Sequence, residues 1–262
     1  MRSHSGPVAN IRSSVGGHST SVVTSSDLRI ENLVTGYGRT QIVNGVDLSV
    51  VAGKVTVVFG RNGVGKTTLL RCLSGLIPAW QGRLFLGDTE ITEWPSSRRV
   101  KEGLAHVPEG RRMVAGFSVR ENLLLGGQIL PRRQVTQHLE DVLNLFPIIE
   151  KWLNREATSL SGGQQQLVAI ARALMAQARV LMLDEPLTGL SPGVAFEVLQ
   201  SVKALAGQGI AVLLVEQNVH MAMEIADSIC VLDSGKVAEL DGTAQMEMAG
   251  RIERVYLGLD MQ

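Results

Sequence analysis

The sequence predicts an α/β fold in which a mostly parallel sheet is covered by helices. Apolar runs with the length of buried strands, such as "VLML" (180–183) and "IAVLLV" (210–215), alternate with longer helical patterns. Parallel neighbours need a crossover between them, so this alternation is typical of a parallel sheet. Near the amino terminus, β-like runs such as "LRIENL" (28–33) and "VDLSV" (46–50) follow one another with turns between them, which predicts an antiparallel layer beside the core.

A helical pattern interrupts the strands in the middle of the chain. Apolar residues there recur at helical spacing, and Pro131 and Pro147 separate the successive stretches. We therefore expect a helical subdomain at about 110–160, inserted into an α/β domain that spans 27–262.

Residues 1–26 differ in composition from the rest of the chain. They are rich in Ser and Gly and contain no continuous hydrophobic segment of the kind that a secretory signal requires. Such a composition supplies too little apolar surface for a packed core. We predict a disordered tail, and a start site assigned too early is the alternative.

Composition limits the classes of function. The 262 residues are 45% hydrophobic, enough for one sizeable core. Lys plus Arg and Asp plus Glu both number 25, whereas a protein that binds a nucleic-acid backbone usually has a basic excess. No apolar stretch reaches the ~20 residues needed to cross a bilayer. Cys72 and Cys230 stand far apart in apolar surroundings and are predicted to be buried thiols in a reducing cytoplasm.

The stretch "GRNGVGKT" (60–67) is the first motif that points to chemistry. It follows an apolar strand pattern and precedes a helical one, which is the context that a P-loop requires. Its glycines allow backbone N–H groups to approach a phosphate, Lys66 supplies a cation, and the Thr67 hydroxyl can bind Mg²⁺. A glycine-rich turn with a fortuitous Lys-Thr is the alternative. The predicted nucleotide-binding residues are Gly60, Arg61, Asn62, Gly63, Val64, Gly65, Lys66, Thr67 and Thr68.

The stretch "VLMLDEP" (180–186) predicts the second half of the same site. Its apolar strand ends in two acids, and ligand sites of parallel sheets lie at the carboxyl ends of the strands. Asp184 can hold Mg²⁺, and Glu185 can accept a proton from an attacking water. Without the P-loop, an acidic turn closing a strand would explain these residues equally well.

The stretch "LSGGQQQ" (160–166) precedes a helical pattern and is called the signature turn below. The Ser161 hydroxyl, the amides of Gly162 and Gly163 and the helix start can together bind an anion. Helix capping alone would also explain a serine here. Because the P-loop already binds one triphosphate, a second phosphate-binding turn is redundant unless it contacts the ATP of another molecule.

These three motifs, in this order and spacing, resemble the nucleotide-binding subunit of an ATP-binding cassette (ABC) transporter. The resemblance covers about residues 28–258 and implies ATP and Mg²⁺ as cofactors. In that family two subunits close head-to-tail, and each ATP lies between one P-loop and the partner's signature turn. It therefore implies that Ser161, Gly162, Gly163 and Gln164 act on the partner's nucleotide.

Other family positions follow from the same resemblance. Tyr37 matches the aromatic residue that stacks on adenine, although it would also suit an ordinary loop. Glu109 in "VPEGRR" (107–112) stands where the family has a glutamine, and it could contact Mg²⁺ or the attacking water. Arg111 and Arg112 in that stretch are expected to be a solvated basic pair.

Two further positions depart from the general family pattern. Pro192 stands where the loop after the acidic pair usually carries Asp. Gln217 occupies the position of the switch histidine; it cannot carry a positive charge, but its amide can donate a hydrogen bond to the γ-phosphate. A polar residue ending a strand is the alternative for Gln217.

These departures resemble one branch of the family. "VPEGRR", "GLSP", "LVEQN" and the ending "ERVYLGL" (253–259) look like the second ATP-binding subunit of importers for branched-chain amino acids and related polar solutes such as amides or urea. The branch implies a peripheral position on the cytoplasmic face of the cell membrane. It implies two multi-span membrane subunits, a second ATPase subunit that is identical or different, and an external solute-binding protein. No nucleic-acid partner is expected.

Other functions remain open at this stage. An ABC ATPase that acts on nucleic acid or ribosomes would typically carry two cassettes or a long coiled-coil insertion. A P-loop phosphotransferase would need an acceptor site and a lid, and it would leave residues 160–166 unexplained. An exporter would usually fuse the cassette to a membrane domain.

Overall fold

The computed structural model describes residues 26–240. All of the predicted tail at 1–26 except Ser26, and the ending "ERVYLGL", lie outside this part. The strands are β1 (Ser26–Tyr37), β2 (Thr40–Val51), β3 (Val55–Phe59), β4 (Gln81–Leu86), β5 (Thr89–Glu90), β6 (Leu104–Val107), β7 (Val180–Asp184), β8 (Ala211–Glu216), β9 (Ser228–Asp233) and β10 (Lys236–Leu240). The α-helices are α1 (Lys66–Leu73), α2 (Ser96–Lys101), α3 (Val119–Gly126), α4 (Arg132–Leu145), α5 (Pro147–Glu150), α6 (Gly162–Leu174), α7 (Pro192–Gly207) and α8 (Val219–Met223). Two 3₁₀ turns lie at Gly127–Ile129 and Ala157–Ser159.

Two sheets form the frame, and they confirm the predicted α/β class. The larger sheet has six strands in the order β10-β9-β3-β8-β7-β6. Its strands from β9 to β6 are parallel to their neighbours, and only β10 runs antiparallel at one edge. The smaller sheet, in the order β2-β1-β4-β5, is antiparallel throughout.

The central strands are buried on both faces, which explains their continuous apolar sequences. Every residue of β3, β7 and β8 is buried. Side chains alternate between two hydrophobic clusters: Leu181 and Leu183 belong to the cluster that includes the helices, whereas Val180 and Met182 belong to the cluster under the antiparallel sheet. The core of the protein thus lies on both sides of the parallel sheet.

The helices α3 to α5 lie in sequence between β6 and α6. The first of them begins with a capping box, in which the Ser118 hydroxyl accepts from the Glu121 N–H at 3.2 Å and the Glu121 carboxylate accepts from the Ser118 N–H at 2.7 Å. At its other end Gly126 allows close contact with α6, because a Cβ there would lie 2.0 Å from the Arg172 carbonyl oxygen. The boundary of a helical subdomain at about 110–160 stays a prediction.

Parallel pairing brings three chain segments to one edge of the sheet. β8 lies between β3 and β7, with Phe59 opposite Glu216 and Asp184 opposite Val215. The residues that follow these carboxyl ends therefore meet. No helix within residues 26–240 is long and apolar enough to cross a membrane.

Candidate functional site

A cavity of about 370 Å³ lies at this edge of the sheet. It brings together residues from the P-loop, the acidic pair, the end of β8 and the "VPEGRR" stretch, which are far apart in sequence. Its lining residues are Ile42, Asn62, Gly63, Gly65, Lys66, Thr67, Thr68, Glu109, Glu185, Thr188 and Gln217. The predicted Gly60, Arg61 and Val64 support the loop without lining the cavity.

The P-loop takes its shape from glycine and from a buried lysine. Gly65 precedes α1 with φ of 112°, a left-handed conformation that favours glycine. Lys66 is 95% buried, and its ammonium donates to the carbonyl oxygens of Gly60 at 2.8 Å and Arg61 at 3.0 Å. This lysine therefore closes the loop on itself.

Asp184 and Thr67 form the part of the site that suits a divalent cation. The Thr67 hydroxyl donates to Asp184 Oδ1 at 3.3 Å, while Asp184 Oδ2 is buried without a hydrogen-bond partner among the described residues. Burial raises the pKa of Asp184, and the nearby carboxylates of Glu185 and Glu109 raise it further. A cation would relieve both effects. An orphaned carboxylate oxygen beside a hydroxyl fits Mg²⁺, which prefers oxygen ligands and retains waters.

Glu185 makes three contacts inside the cavity. Its Oε1 lies 3.0 Å from the Lys66 ammonium, and its Oε2 accepts from the Gln217 amide at 2.7 Å and from the Thr188 hydroxyl at 3.4 Å. The backbone of Glu185 has φ of 46°, which is uncommon for a residue with a side chain. The carboxylate predicted to act as base is thus held between the P-loop cation and the amide predicted to contact phosphate.

A buried carboxylate missed by the sequence argument supports this arrangement. Glu216 is 98% buried; its Oε1 accepts from the Leu187 N–H at 3.0 Å and its Oε2 from the Gln217 N–H at 3.1 Å. Burial is the main cause that raises its pKa. It ties the turn after Glu185 to the end of β8. The only signal in the sequence was an acid ending an apolar strand, and such acids are also common in turns.

Tyr37 lies at the end of β1, outside the residues that line the cavity. It is 43% exposed, and its hydroxyl accepts from Arg71 Nη1 at 3.0 Å. An exposed ring beside the P-loop helix is accessible to a flat partner, as stacking on adenine requires. Its predicted role stays a prediction.

The signature turn begins α6, away from the cavity. Ser161 caps this helix by accepting from the Gln164 N–H at 3.4 Å, and the Gln164 side chain accepts from the Ser161 N–H at 3.1 Å. Gly163 is buried, and a Cβ there would lie 2.0 Å from Val194 Cγ1. Residues 161–164 do not line the P-loop cavity of their own chain. The capping alternative is therefore part of the structure, and the predicted role of the turn at a partner's nucleotide stays a prediction.

The two arginines after Gly110 differ, and the expectation of a solvated pair is wrong for one of them. Arg112 is exposed, whereas Arg111 is partly buried and donates from Nη2 to the Thr188 carbonyl oxygen at 3.0 Å. The sequence could not show this contact, because Arg111 and Thr188 are 77 positions apart.

Residues 43–188 match the sequence profile of the ABC transporter family. The match contains the P-loop, the signature turn and the acidic pair, and it extends over more than half of the chain. The chain belongs to the ABC transporter family. As an ABC ATPase domain, the chain binds nucleotide.

Individual ABC proteins are similar over nearly their whole length. The high-affinity branched-chain amino acid transport ATP-binding protein BraG of Pseudomonas aeruginosa is 35% identical over 231 residues, which cover 88% of this chain and 99% of BraG. A probable branched-chain amino acid transport ATP-binding protein, LivF of Archaeoglobus fulgidus, is 37% identical with 88% and 99% covered. The lipopolysaccharide export system ATP-binding protein LptB of Acidithiobacillus ferridurans is 30% identical, with 90% and 98% covered.

A solved structure gives the same result for the fold. The ADP conformation of an ATP-binding cassette of an ABC transporter superposes with a TM-score of 0.77 at 28% sequence identity. The match covers 89% of this chain and 99% of that cassette. The predicted P-loop core with an antiparallel side sheet is therefore confirmed.

Proposed function

We propose that this chain is the ATP-hydrolysing subunit of a membrane importer for branched-chain amino acids or related polar solutes, such as amides or urea. The observation that carries the hydrolytic part is the cavity itself. It places the P-loop, a candidate cation site and the Glu185 carboxylate at one edge of the sheet.

The side chains of the cavity divide the chemistry between them. The P-loop amides and Lys66 would bind the phosphates, so Lys66 must give up its contacts with Gly60 and Glu185 when nucleotide enters. Thr67 and Asp184, together with Glu109, would hold Mg²⁺, which neutralises charge on the phosphates. Glu185, freed from Lys66, would accept a proton from the attacking water.

Gln217 would hold Glu185 and donate to the γ-phosphate. Its amide already contacts the Glu185 carboxylate at 2.7 Å, so it needs only a small movement to reach a phosphate beside Glu185. Because an amide carries no charge, it can orient these groups but cannot transfer a proton to them. We infer that it positions the base.

The signature turn would complete the site of a second ATPase subunit. Ser161, Gly162, Gly163 and Gln164 do not line their own P-loop cavity, and the N-terminus of a helix is suited to bind phosphate. Two subunits paired head-to-tail would each supply what the other lacks. ATP then favours the closed pair because only that state uses both faces.

The transport role follows from the relatives. BraG and LivF are branched-chain amino acid transport proteins by name, and the "VPEGRR" and "LVEQN" stretches resemble the same branch. The chain would therefore lie on the cytoplasmic face of the membrane beneath two permease subunits, fed by an external solute-binding protein. Similarity to LptB favours a second candidate, the ATPase subunit of a lipopolysaccharide exporter.

Replacing Glu185 tests the hydrolytic proposal. In Glu185→Gln the amide cannot accept a proton, so we expect ATP turnover to fall by roughly 100-fold or more while ATP binding persists. The variant should also accumulate as an ATP-dependent dimer in light scattering. Glu140→Gln, which changes an exposed carboxylate on α4, is the matched control. Turnover at the wild-type rate in Glu185→Gln would refute Glu185 as base.

The solute is tested in cells of the source organism. We expect Lys66→Ala in the chromosomal gene to abolish uptake of labelled leucine or urea, whereas Glu140→Gln leaves uptake unchanged. Normal uptake together with defective lipopolysaccharide delivery in Lys66→Ala would instead favour the exporter.

A further inference from the structure

Arg111 lies where three segments of the proposed site meet. Its Nη2 donates to the Thr188 carbonyl oxygen at 3.0 Å. Its guanidinium also lies over Gly162, since a Cβ on that glycine would be 3.0 Å from Nη1 and 3.1 Å from both Cζ and Nη2. One side chain thus connects the Glu109 stretch, the turn after Glu185 and the first turn of α6.

The backbone of Arg111 is also fixed by hydrogen bonds. Arg111 has φ of 59° and follows Gly110, so the chain bends sharply here. Arg172, on α6, donates to the carbonyl oxygens of Arg111 at 3.1 Å and Arg112 at 2.9 Å. It also contacts Asn122 Oδ1 at 3.3 Å. These bonds fix the point from which the Arg111 side chain extends.

The charge of Arg111 is not neutralised by an acid in this arrangement. Within residues 26–240, none of the ion pairs involves Arg111. Its hydrogen bond to a neutral carbonyl is charge-assisted and stronger than a neutral one. The planar guanidinium fits flat against Gly162, which a lysine ammonium would not do. The contact therefore depends on the shape of arginine and on the absence of a side chain at position 162.

Thr188 extends this contact to the hydrolytic carboxylate. Its N–H donates to the Glu185 carbonyl oxygen at 3.3 Å, and its hydroxyl donates to Glu185 Oε2 at 3.4 Å. A displacement of Arg111 would move the Thr188 carbonyl and, with it, the turn that sets Glu185. The same displacement would release the first turn of α6 at Gly162.

We propose that Arg111 is a positioning residue that clamps the turn after Glu185 against the signature turn. The clamp rests on the proposed function, in which Glu185 serves the chain's own nucleotide and the signature turn serves the partner's. It sets the relative placement of these two groups within one subunit. Because Arg111 belongs to the Glu109 stretch, a movement of that stretch reaches both groups at once.

Hydrogen exchange of the full-length, nucleotide-free chain tests the clamp without relying on turnover. In Arg111→Met we expect the backbone N–H groups in 187–190 and 162–166 to exchange roughly fivefold faster or more, because both segments lose a shared anchor. Arg112→Met is the control, since Arg112 is exposed and its side chain makes only a 3.5 Å contact with the Glu109 carbonyl. Unchanged exchange in both segments of Arg111→Met would overturn the proposal.

A glycine substitution tests the same contact from the side of the signature turn. The methyl of Gly162→Ala would lie 3.0 Å from Arg111 Nη1 and would displace the guanidinium slightly, so exchange at 187–190 should rise in the wild-type background. It should not rise further when Arg111 is already Met. Equal increments in both backgrounds would mean that the methyl acts without Arg111, and the clamp would be rejected.

Kinetics then separate positioning from nucleotide binding. We expect Arg111→Met to lower kcat roughly tenfold with KM for ATP changed less than about twofold. Arg111→Lys should recover only part of the loss, because an ammonium can donate to the Thr188 carbonyl but cannot lie flat against Gly162. A raised KM with unchanged kcat would instead make Arg111 a nucleotide ligand and overturn the clamp. Absence of ATP turnover in the wild-type chain would refute the proposed function, while the exchange data would still decide the clamp.

Discussion

At the scale of single residues, burial decides which charges the site can use. The acids Asp184 and Glu216 are both 98% buried, and burial raises the pKa of each. They differ in their partners: both Glu216 oxygens accept backbone N–H groups, whereas Asp184 Oδ2 has no partner among the described residues. The contacts of Glu216 therefore indicate a structural role, whereas the unpaired oxygen of Asp184 is suited to bind a ligand.

His106 is the residue for which we predict a dependence of stability on pH. Burial, followed by the charges of Arg112 and Arg71, lowers its pKa from 6.5 to about 4. The unfolded chain therefore binds a proton between these values while the folded chain does not. The contribution of His106 to the free energy of unfolding is fully present above pH 6.5. It is lost as the pH drops towards 4, which lowers the free energy of unfolding by up to about 3 kcal/mol.

The variant His106→Leu isolates this effect. It removes the titrating imidazole from β6. The Nε2 of His106 is buried without a hydrogen-bond partner in the described structure. Denaturant unfolding at pH 7 and pH 4.5 should show a smaller loss of stability in the variant than in the wild type. If the free energy of unfolding fell by the same amount in both proteins between pH 7 and pH 4.5, a depressed pKa for His106 would be contradicted.

At the scale of elements, continuous apolar runs predicted the buried strands correctly, because a strand covered on both faces needs no polar side chain. "VLML" and "IAVLLV" became parts of β7 and β8 for this reason. Contacts between distant segments were not predictable. The Arg111 contact with Thr188 spans 77 positions, and no local pattern marks it. Similarly, the hydrogen bond from the Leu187 N–H to Glu216 depends on the position of the turn after Glu185.

The packing of α6 against α7 gives a prediction at this scale. A Cβ at Gly163 would lie 2.0 Å from Val194 Cγ1, a distance that requires movement. We expect Gly163→Ala to lower the free energy of unfolding by about 1–3 kcal/mol because of overpacking. Adding Val194→Ala should restore part of the loss, since it removes the clashing methyl groups.

Gly193→Ala is the matched control for this packing, because nothing lies within 4 Å of a Cβ at that position. Denaturant titrations of the variants measure the effect on stability separately from any effect on phosphate binding. A Gly163→Ala chain as stable as Gly193→Ala would show that α6 and α7 can separate without cost.

At the scale of the whole molecule, the three motifs fall into two groups. The P-loop and Glu185 of the acidic pair line one cavity at an edge of the sheet, while the signature turn stands at the start of α6 and does not line that cavity. The family resemblance predicted this separation, whereas the chemistry of the motifs did not distinguish the two groups, because both contain glycine-rich turns before helices. Under the proposed function, a single subunit would therefore carry halves of two different sites, and pairing with a second subunit would complete each of them.

Mixing two inactive variants tests that separation in a dimer of two copies of this chain. Lys66→Ala disables the P-loop half, and Ser161→Arg disables the signature half. In a head-to-tail pair of these variants, one site contains both lesions and the other contains none. Random exchange of subunits should therefore restore ATP turnover to at most about one quarter of the wild-type rate.

The control mixture combines Lys66→Ala with Glu185→Gln, whose lesions both belong to the P-loop half. Each site of that pair contains one lesion, so no turnover should return. Steady-state phosphate release from equal mixtures distinguishes the two cases. If the first mixture stays as inactive as the control, the signature turn does not complete a site on another copy of this chain. Recovery confined to the first mixture requires the turn to act across the pair, because a turn acting within its own subunit would leave every site damaged.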